Sequence, residues 1–258
     1  MTVVLRAEWT KLCTVRSTRW TLFAILGLTV GLSVFLASGS SSTGGPGTGD
    51  NDIVRDSLVG VYLAQFAVVA LGVLAITSEY ATQMIQTTFT VMPRRGRVLF
   101  AKALLVGGAV LIVGLASSMT AFLAGQRILR DNGYAPPAYP EWTLHDGPAQ
   151  RALFGSALLL TAIALLSLGI GAIVRHSAAA ISALLALLFV PLIFAPALPE
   201  HTRELVQKAT PGAGFAVQQT VARGDAIPIG PWAGLGVTFA WAAGALLLAL
   251  FLIRRRDA

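Results

Sequence analysis

The stretch Thr77–Lys102, TSEYATQMIQTTFTVMPRRGRVLFAK, decides how the chain is read. It separates two strongly apolar runs and is itself patterned. Ala81, Met84, Ile85, Thr88, Phe89 and Met92 recur at i, i+3, i+4, i+7, i+8 and i+11, one stripe of a 3.6-residue helix. Thr82, Gln83, Gln86, Thr87 and Thr90 fall on the opposite side. Ser78 is placed to cap this helix, and Glu79 falls in its first turn, where the helix dipole favours a carboxylate. Pro93 ends it, because proline lacks an amide proton and disfavours helix at the preceding residue. Arg94, Arg95, Arg97 and Lys102 then flank the next apolar run as charge anchors. An uncharged amphipathic helix beside a basic cluster, fixed between two spans, reads as a docking element or as a helix lying on lipid. The pattern alone leaves both open.

Of the 258 residues, 55% are hydrophobic and only 12% charged, with a mean hydropathy of +0.72. Soluble domains carry about 25% charged residues, so lipid is the expected solvent. Six runs approach or exceed the roughly 20 apolar residues that cross a bilayer. They are Trp20–Ala37, Leu58–Ile76, Ala103–Leu123, Ala152–Val174, Ala178–Ala197 and Trp232–Ile253, and none contains Asp, Glu, Lys, Arg or His. The expected fold is an all-α integral membrane protein, one six-span domain covering 1–258.

Positive charge sets the orientation. The segments 1–19, 77–102, 175–177 and 254–258 hold 12 Lys/Arg and three acids, whereas 38–57, 124–151 and 198–231 hold seven and nine. Both termini are therefore expected in the cytoplasm, with Arg254, Arg255 and Arg256 anchoring the last span. The net charge of +7 is accounted for by anionic headgroups at that face and requires no nucleic acid. Cys13 is the only cysteine, which excludes a disulfide within the chain. Arginine outnumbers lysine 16 to 3 and alanine is abundant, a composition that points to a GC-rich bacterial genome.

Residues 1–19 read as an interfacial elbow helix, with Leu5, Trp9, Leu12 and Cys13 sharing a face. The long basic segment and the length of the run after it favour a retained first span over a cleaved signal peptide. Ser38–Asp50, rich in Gly, Ser and Thr, reads as a flexible external linker. The loop 124–151 carries Tyr134, Tyr139 and Trp142 for the headgroup level. Residues 198–231 are too long for a simple turn. Glu200–Ala209 and Phe215–Ala222 read as short helices around Pro211–Gly214, with partial re-entry into the membrane. Gly27/Gly31 and Gly107/Gly114 are candidates for close helix packing.

Catalytic chemistry is hard to place on this chain. There is no H-E-x-x-H motif, and His145, His176 and His201 fall in three separate loops. No Ser–His or Cys–His constellation can be argued, so the reading is not an enzyme and calls for no cofactor or metal. Ion-coupled transport usually needs ionisable groups at mid-membrane, and the runs have none. A phosphate-cradling G-x-x-x-x-G-K-[ST] loop is missing too, since none of Lys11, Lys102 and Lys208 follows a glycine. If ATP drives the protein, another polypeptide binds it.

These residues bring out a resemblance. Glu8-Trp9-Thr10-Lys11-Leu12 with Thr14–Thr18, then Ile76–Thr82 followed by Pro93-Arg94-Arg95 and Lys102, resemble the bacterial ABC-2-type transporter permeases. The Pro211–Gly214 turn and the ending Arg254-Arg255-Arg256-Asp257 resemble the same family. Gln83 and Gln86 depart from it, standing where glycine and a basic residue are expected. The resemblance implies an exporter in the bacterial plasma membrane, with two six-span subunits joined to two cytoplasmic ATP-binding subunits. It also implies that the elbow, through Trp9, and the first cytoplasmic loop, through Glu79, Ala81, Met84, Ile85, Thr88, Phe89 and Met92, contact the ATPase. The other readings are a membrane-anchored assembly or regulatory protein that transports nothing, and an ion-coupled carrier.

Overall fold

A computed structural model describes residues 6, 8–11, 14–40, 52–81, 95–134, 142–221 and 226–256. The segment 82–94, with most of the stripe and Pro93 and Arg94, lies outside the described residues, as do Leu12, Cys13 and most of the linker Ser38–Asp50. All regular elements among the described residues are helical. The long ones are α1 (Arg16–Gly39), α3 (Gly60–Ala81), α4 (Arg95–Asp131), α5 (Gly147–Val174), α6 (Ser177–Phe194) and α8 (Pro231–Arg256). Two short helices, α2 (Ile53–Ser57) and α7 (Glu200–Ala209), and two 3-10 turns, Ala195–Ala197 and Pro211–Gln218, complete the set. Six helices are long and apolar enough to cross a membrane, one for each apolar run. The chain is a multi-pass membrane protein.

Helix α5 is the axis, flanked by α3, α4 and α8, while α1 packs on α3 and α4. Small side chains let α5 take that place. A Cβ added to Gly72 of α3 would come within 2.6 Å of the Ala164 carbonyl on α5, so only glycine permits this approach. Gly60 is tighter still: its Cβ would meet the Thr29 carbonyl of α1 at 1.8 Å. Gly114 likewise rests against Ala157, but Gly27 and Gly31 face open space, so the expected close-packing pair on α1 is not one.

Several helices outrun their apolar runs. Helix α4 reaches Asp131 rather than stopping at Leu123, and at 37 residues is about 55 Å long. Helix α5 begins at Gly147 instead of Ala152. The most consequential change is at α3, which continues unbroken through Thr77, Ser78 and Glu79 to Ala81. Ser78 is therefore not a cap; its hydroxyl donates back to the Leu74 carbonyl at 2.6 Å. Glu79 is carried on the same helix that starts at Gly60, and not in the first turn of a new one.

Between α6 and α8 the chain turns back into the bundle. Helix α7 matches the expected Glu200–Ala209, but the next element is the 3-10 turn Pro211–Gln218 rather than a helix from Phe215 to Ala222. Seven of its eight residues are buried. Thr238 donates to the Pro211 carbonyl at 2.8 Å, and Trp241 Nε1 donates to the Ala209 carbonyl at 2.8 Å. Thr238 stands seven residues into α8, about 10 Å along its axis, so the turn sits within the bundle and not on its rim. Phe215 stacks on Tyr62 of α3, with ring centroids 3.8 Å apart.

Candidate functional site

The short backbone hydrogen bonds of helices leave ionisable side chains to find partners elsewhere, and at one end of the bundle four of them find each other. Arg6, Glu8–Lys11 and Thr14 are helical, and Val15 is extended before α1 starts. This reversal brings Glu8 and Lys11 against Glu79 of α3 and Lys102 of α4. Lys102 Nζ donates to Glu8 Oε2 at 2.6 Å and to Glu79 Oε1 at 2.8 Å. Lys11 Nζ donates to Glu8 Oε1 and to Glu79 Oε1, both at 2.9 Å. Side-chain exposure is 6% for Glu8, 9% for Glu79, 7% for Lys102 and 35% for Lys11. Two acids and two bases cancel, so a neutral cluster is buried in place of four separate charges, any of which alone would cost several kcal/mol.

Burial pushes the Glu8 carboxyl up, but the charge and hydrogen bond of Lys102, helped by Lys11, outweigh it and hold the group below its ordinary value. Lys11 behaves as the mirror case. Burial lowers it, and the hydrogen bonds and charges of Glu79 and Glu8 more than restore it, leaving it raised.

The cluster sits at the two roots of the segment 82–94. Glu79 precedes that segment by three residues and Lys102 follows it by eight, so their ion pair holds the roots together. Glu8 fastens both to the N-terminal stretch. Alongside lies a cavity of about 310 Å³, walled by the starts of α1 and α4 and the end of α3.

Of the residues singled out from the sequence, Glu79 and Lys102 are brought together. The basic partners of Glu79 prove to be in its own chain. Lys102, read as a surface charge anchor, is buried, because Glu8 and Glu79 offer it more than water does once the helices pack. Trp9 is 55% exposed and takes no part in the cluster's ion pairs. Arg97, Arg254 and Arg255 are exposed, as anchors should be, with Arg255 over the Phe251 ring at 4.5 Å. Arg95 and Arg256 end their helices. Ala81 is the last described residue of α3, whereas Met84, Ile85, Thr88, Phe89, Met92 and Arg94 lie outside the described residues. Glu8 was missed by sequence reasoning. Its i,i+3 spacing to Lys11 was the available signal, but such pairs are common on solvated helices and do not announce burial.

A second polar site occupies the opposite end. Asp52, fully buried, accepts from Arg55 N (3.1 Å) and Thr220 Oγ1 (2.5 Å) on one oxygen, and from Thr220 N (2.6 Å) and Val221 N (3.1 Å) on the other. Next to it Gln218 Nε2 donates to Ser156 Oγ at 2.8 Å, and Arg151 donates to the Gln219 carbonyl at 2.6 Å. Among the described residues no group of three His, Cys, Asp or Glu side chains is arranged to hold a metal ion. Compared with known proteins, the chain matches no family model, and no curated protein matches it significantly.

Proposed function

We propose that this chain is the membrane-spanning subunit of an ATP-driven exporter of the ABC-2 type, working as a dimer in the bacterial plasma membrane. A separate cytoplasmic ATP-binding subunit supplies the energy, since no phosphate-cradling loop exists in the sequence. Both termini and the segment 82–94 face that subunit, as the distribution of positive charge favours. The apolar stripe from Ala81 to Met92, together with Trp9, is the docking surface.

The observation that carries this reading is the ion cluster at the roots of 82–94. A transmission element must be tied to what it moves, and Glu79, Lys102, Glu8 and Lys11 tie this segment to α3, α4 and the stretch leading into α1. A displacement of the docked segment is thereby passed to three elements at once. In this scheme Glu79 acts as a hinge pin inside the permease and not as a contact for the ATPase.

The test is co-expression with a candidate P-loop ATPase, reading co-purification and substrate-stimulated ATP hydrolysis in proteoliposomes. Wild type should associate and couple, and the chain alone should hydrolyse nothing. Phe89→Asp puts an unpaired charge on the docking face, where desolvation costs several kcal/mol, and should abolish association while leaving insertion intact. Full association and coupling of Phe89→Asp at wild-type expression would refute the scheme.

A further inference from the structure

Arg175 is the one non-glycine residue with a positive φ among the described residues, 60° with a ψ of 8°. It stands at the C-cap of α5, where its N–H donates to the Gly171 carbonyl at 2.9 Å. Glycine takes this left-handed conformation without strain and is the usual residue at such a position. Any other side chain is disfavoured there, because its Cβ crowds the following carbonyl. A residue held in a strained conformation points to a use for its side chain. The Arg175 guanidinium lies over the Tyr80 ring of α3, 4.8 Å from its centroid. This stack is in register with the helix packing beside it. Gly171 lies one turn before Arg175, and a Cβ added there would meet Val73 Cα at 3.2 Å and Ile76 Cγ2 at 3.0 Å. Tyr80 is one turn beyond Ile76, so the stack continues this close approach of α3 and α5 by one turn. The ring also packs against the apolar cluster that includes Ile76, Leu168 and Ala172.

Beyond Arg175 the chain is pinned again, since Ala179 N donates to His176 Nδ1 at 3.3 Å and α6 starts at Ser177. The guanidinium is therefore carried by a two-residue connection anchored on both sides. Tyr80 directly follows Glu79, whose ion cluster ties α3 to α4 and to the N-terminal stretch but includes no residue of α5 or α6. We propose that Arg175 is a positioning residue that clamps the continuation of α3, through Tyr80, to the α5–α6 connection. Under the exporter reading, on which this use of the clamp rests, it passes a displacement at the root of 82–94 into the axis helix α5, which the ion cluster does not reach.

Substitution separates the strain from the stack. The experiment uses the full chain in a mild detergent, with hydrogen exchange at the Ser78–Ala81 amides and thermal denaturation measured side by side. Arg175→Gly removes strain and stack together. Its melting temperature should stay at or above that of wild type, while the Ser78–Ala81 amides exchange about three- to tenfold faster, the range of one cation–π contact. Arg175→Ala keeps the strain and should show the same exchange with a lower melting temperature. Tyr80→Leu should also exchange faster, and adding Arg175→Gly to it should speed exchange no further, because both remove one contact. Wild-type exchange in Arg175→Gly, or full additivity in the double variant, would overturn the clamp. A merely structural contact leaves coupling unmoved, so the second readout is substrate-stimulated hydrolysis with a P-loop ATPase that co-purifies with wild type. Arg175→Gly should keep association and lose most of the stimulation. Full stimulation would overturn the part given to Arg175 in transmission. Failure of wild type to bind any ATPase would sink the exporter reading instead, and exchange would still decide the clamp.

Discussion

Two buried carboxylates, Asp52 at one end of the bundle and Glu79 at the other, are satisfied in opposite ways. Asp52 is held by neutral donors, three of them backbone N–H groups, and both its oxygens are fully used. Backbone donors are fixed by the chain, so this is a staple that joins the region before α3 to the returning segment after the Pro211–Gln218 turn. Glu79 is held by two lysine ammoniums on long side chains, and one of its oxygens is left over. Lysine is a mobile point charge, and exchanging one partner for another needs no backbone rearrangement. A short acid among amides suits a joint that must stay shut, and a longer acid among lysines suits one that moves.

Substitution should separate the two ends. Lys102→Met leaves Glu8 and Glu79 buried with only the half-exposed Lys11 between them, and should cost about 3–5 kcal/mol, the largest effect expected here. Thermal denaturation in a mild detergent would measure it. A loss smaller than that of Asp52→Asn would reverse the ranking of the two sites. Asp52→Asn trades a charged acceptor for a neutral one and should cost about 1.5–3 kcal/mol. Its signature is local: faster hydrogen exchange at the Thr220 and Val221 amides, which Lys102→Met should leave unchanged.

Acid and alkali approach the ion cluster from two sides. Glu8 is depressed from its ordinary 4.5, so its contribution is fully present above about pH 4.5 and is lost as pH falls through the folded value. Lys11 is raised from 10.5, so its contribution is present below about pH 10.5 and lost as pH rises through its folded value. Melting temperature should be flat between these limits, and Glu8→Gln should flatten the acid side. An unchanged acid limb would mean that Glu8 is not the group that titrates. The smallest effect belongs to Lys11→Met. That side chain is 35% exposed, and screening should limit the loss to about 1 kcal/mol or less.

Much of the ion cluster was written in the sequence without being readable there. Glu79 and Lys102 both drew notice, one as a dipole-favoured carboxylate and the other as an anchor, and both assignments used only neighbours along the chain. Ser78 explains the error. A serine before a glutamate serves equally to cap a new helix or to bond back within an old one, and the choice depended on whether α3 had a reason to continue. It had one: Lys11 and Lys102 stand beside its continuation and pair with the Glu79 carboxylate. Gly27 and Gly31 teach the same point, since a small-residue spacing permits close packing but does not say that a neighbour comes.

The sequence alone determined the all-helical class, the number of spans and the polar composition of the connections. Those follow from the free energy of placing apolar side chains in lipid, a sum over local residues that needs no knowledge of contacts. Helix α7 was legible on other grounds, as a short polar segment bounded by Pro199 and Pro211. Tertiary structure alone decided that Glu8, Lys11, Glu79 and Lys102 share one buried site, that the Pro211–Gln218 turn lies inside the bundle, and that Asp52 staples it there. Charges find partners by geometry rather than by periodicity. A lysine 94 residues from its glutamate pairs with it only after the helices between them have packed.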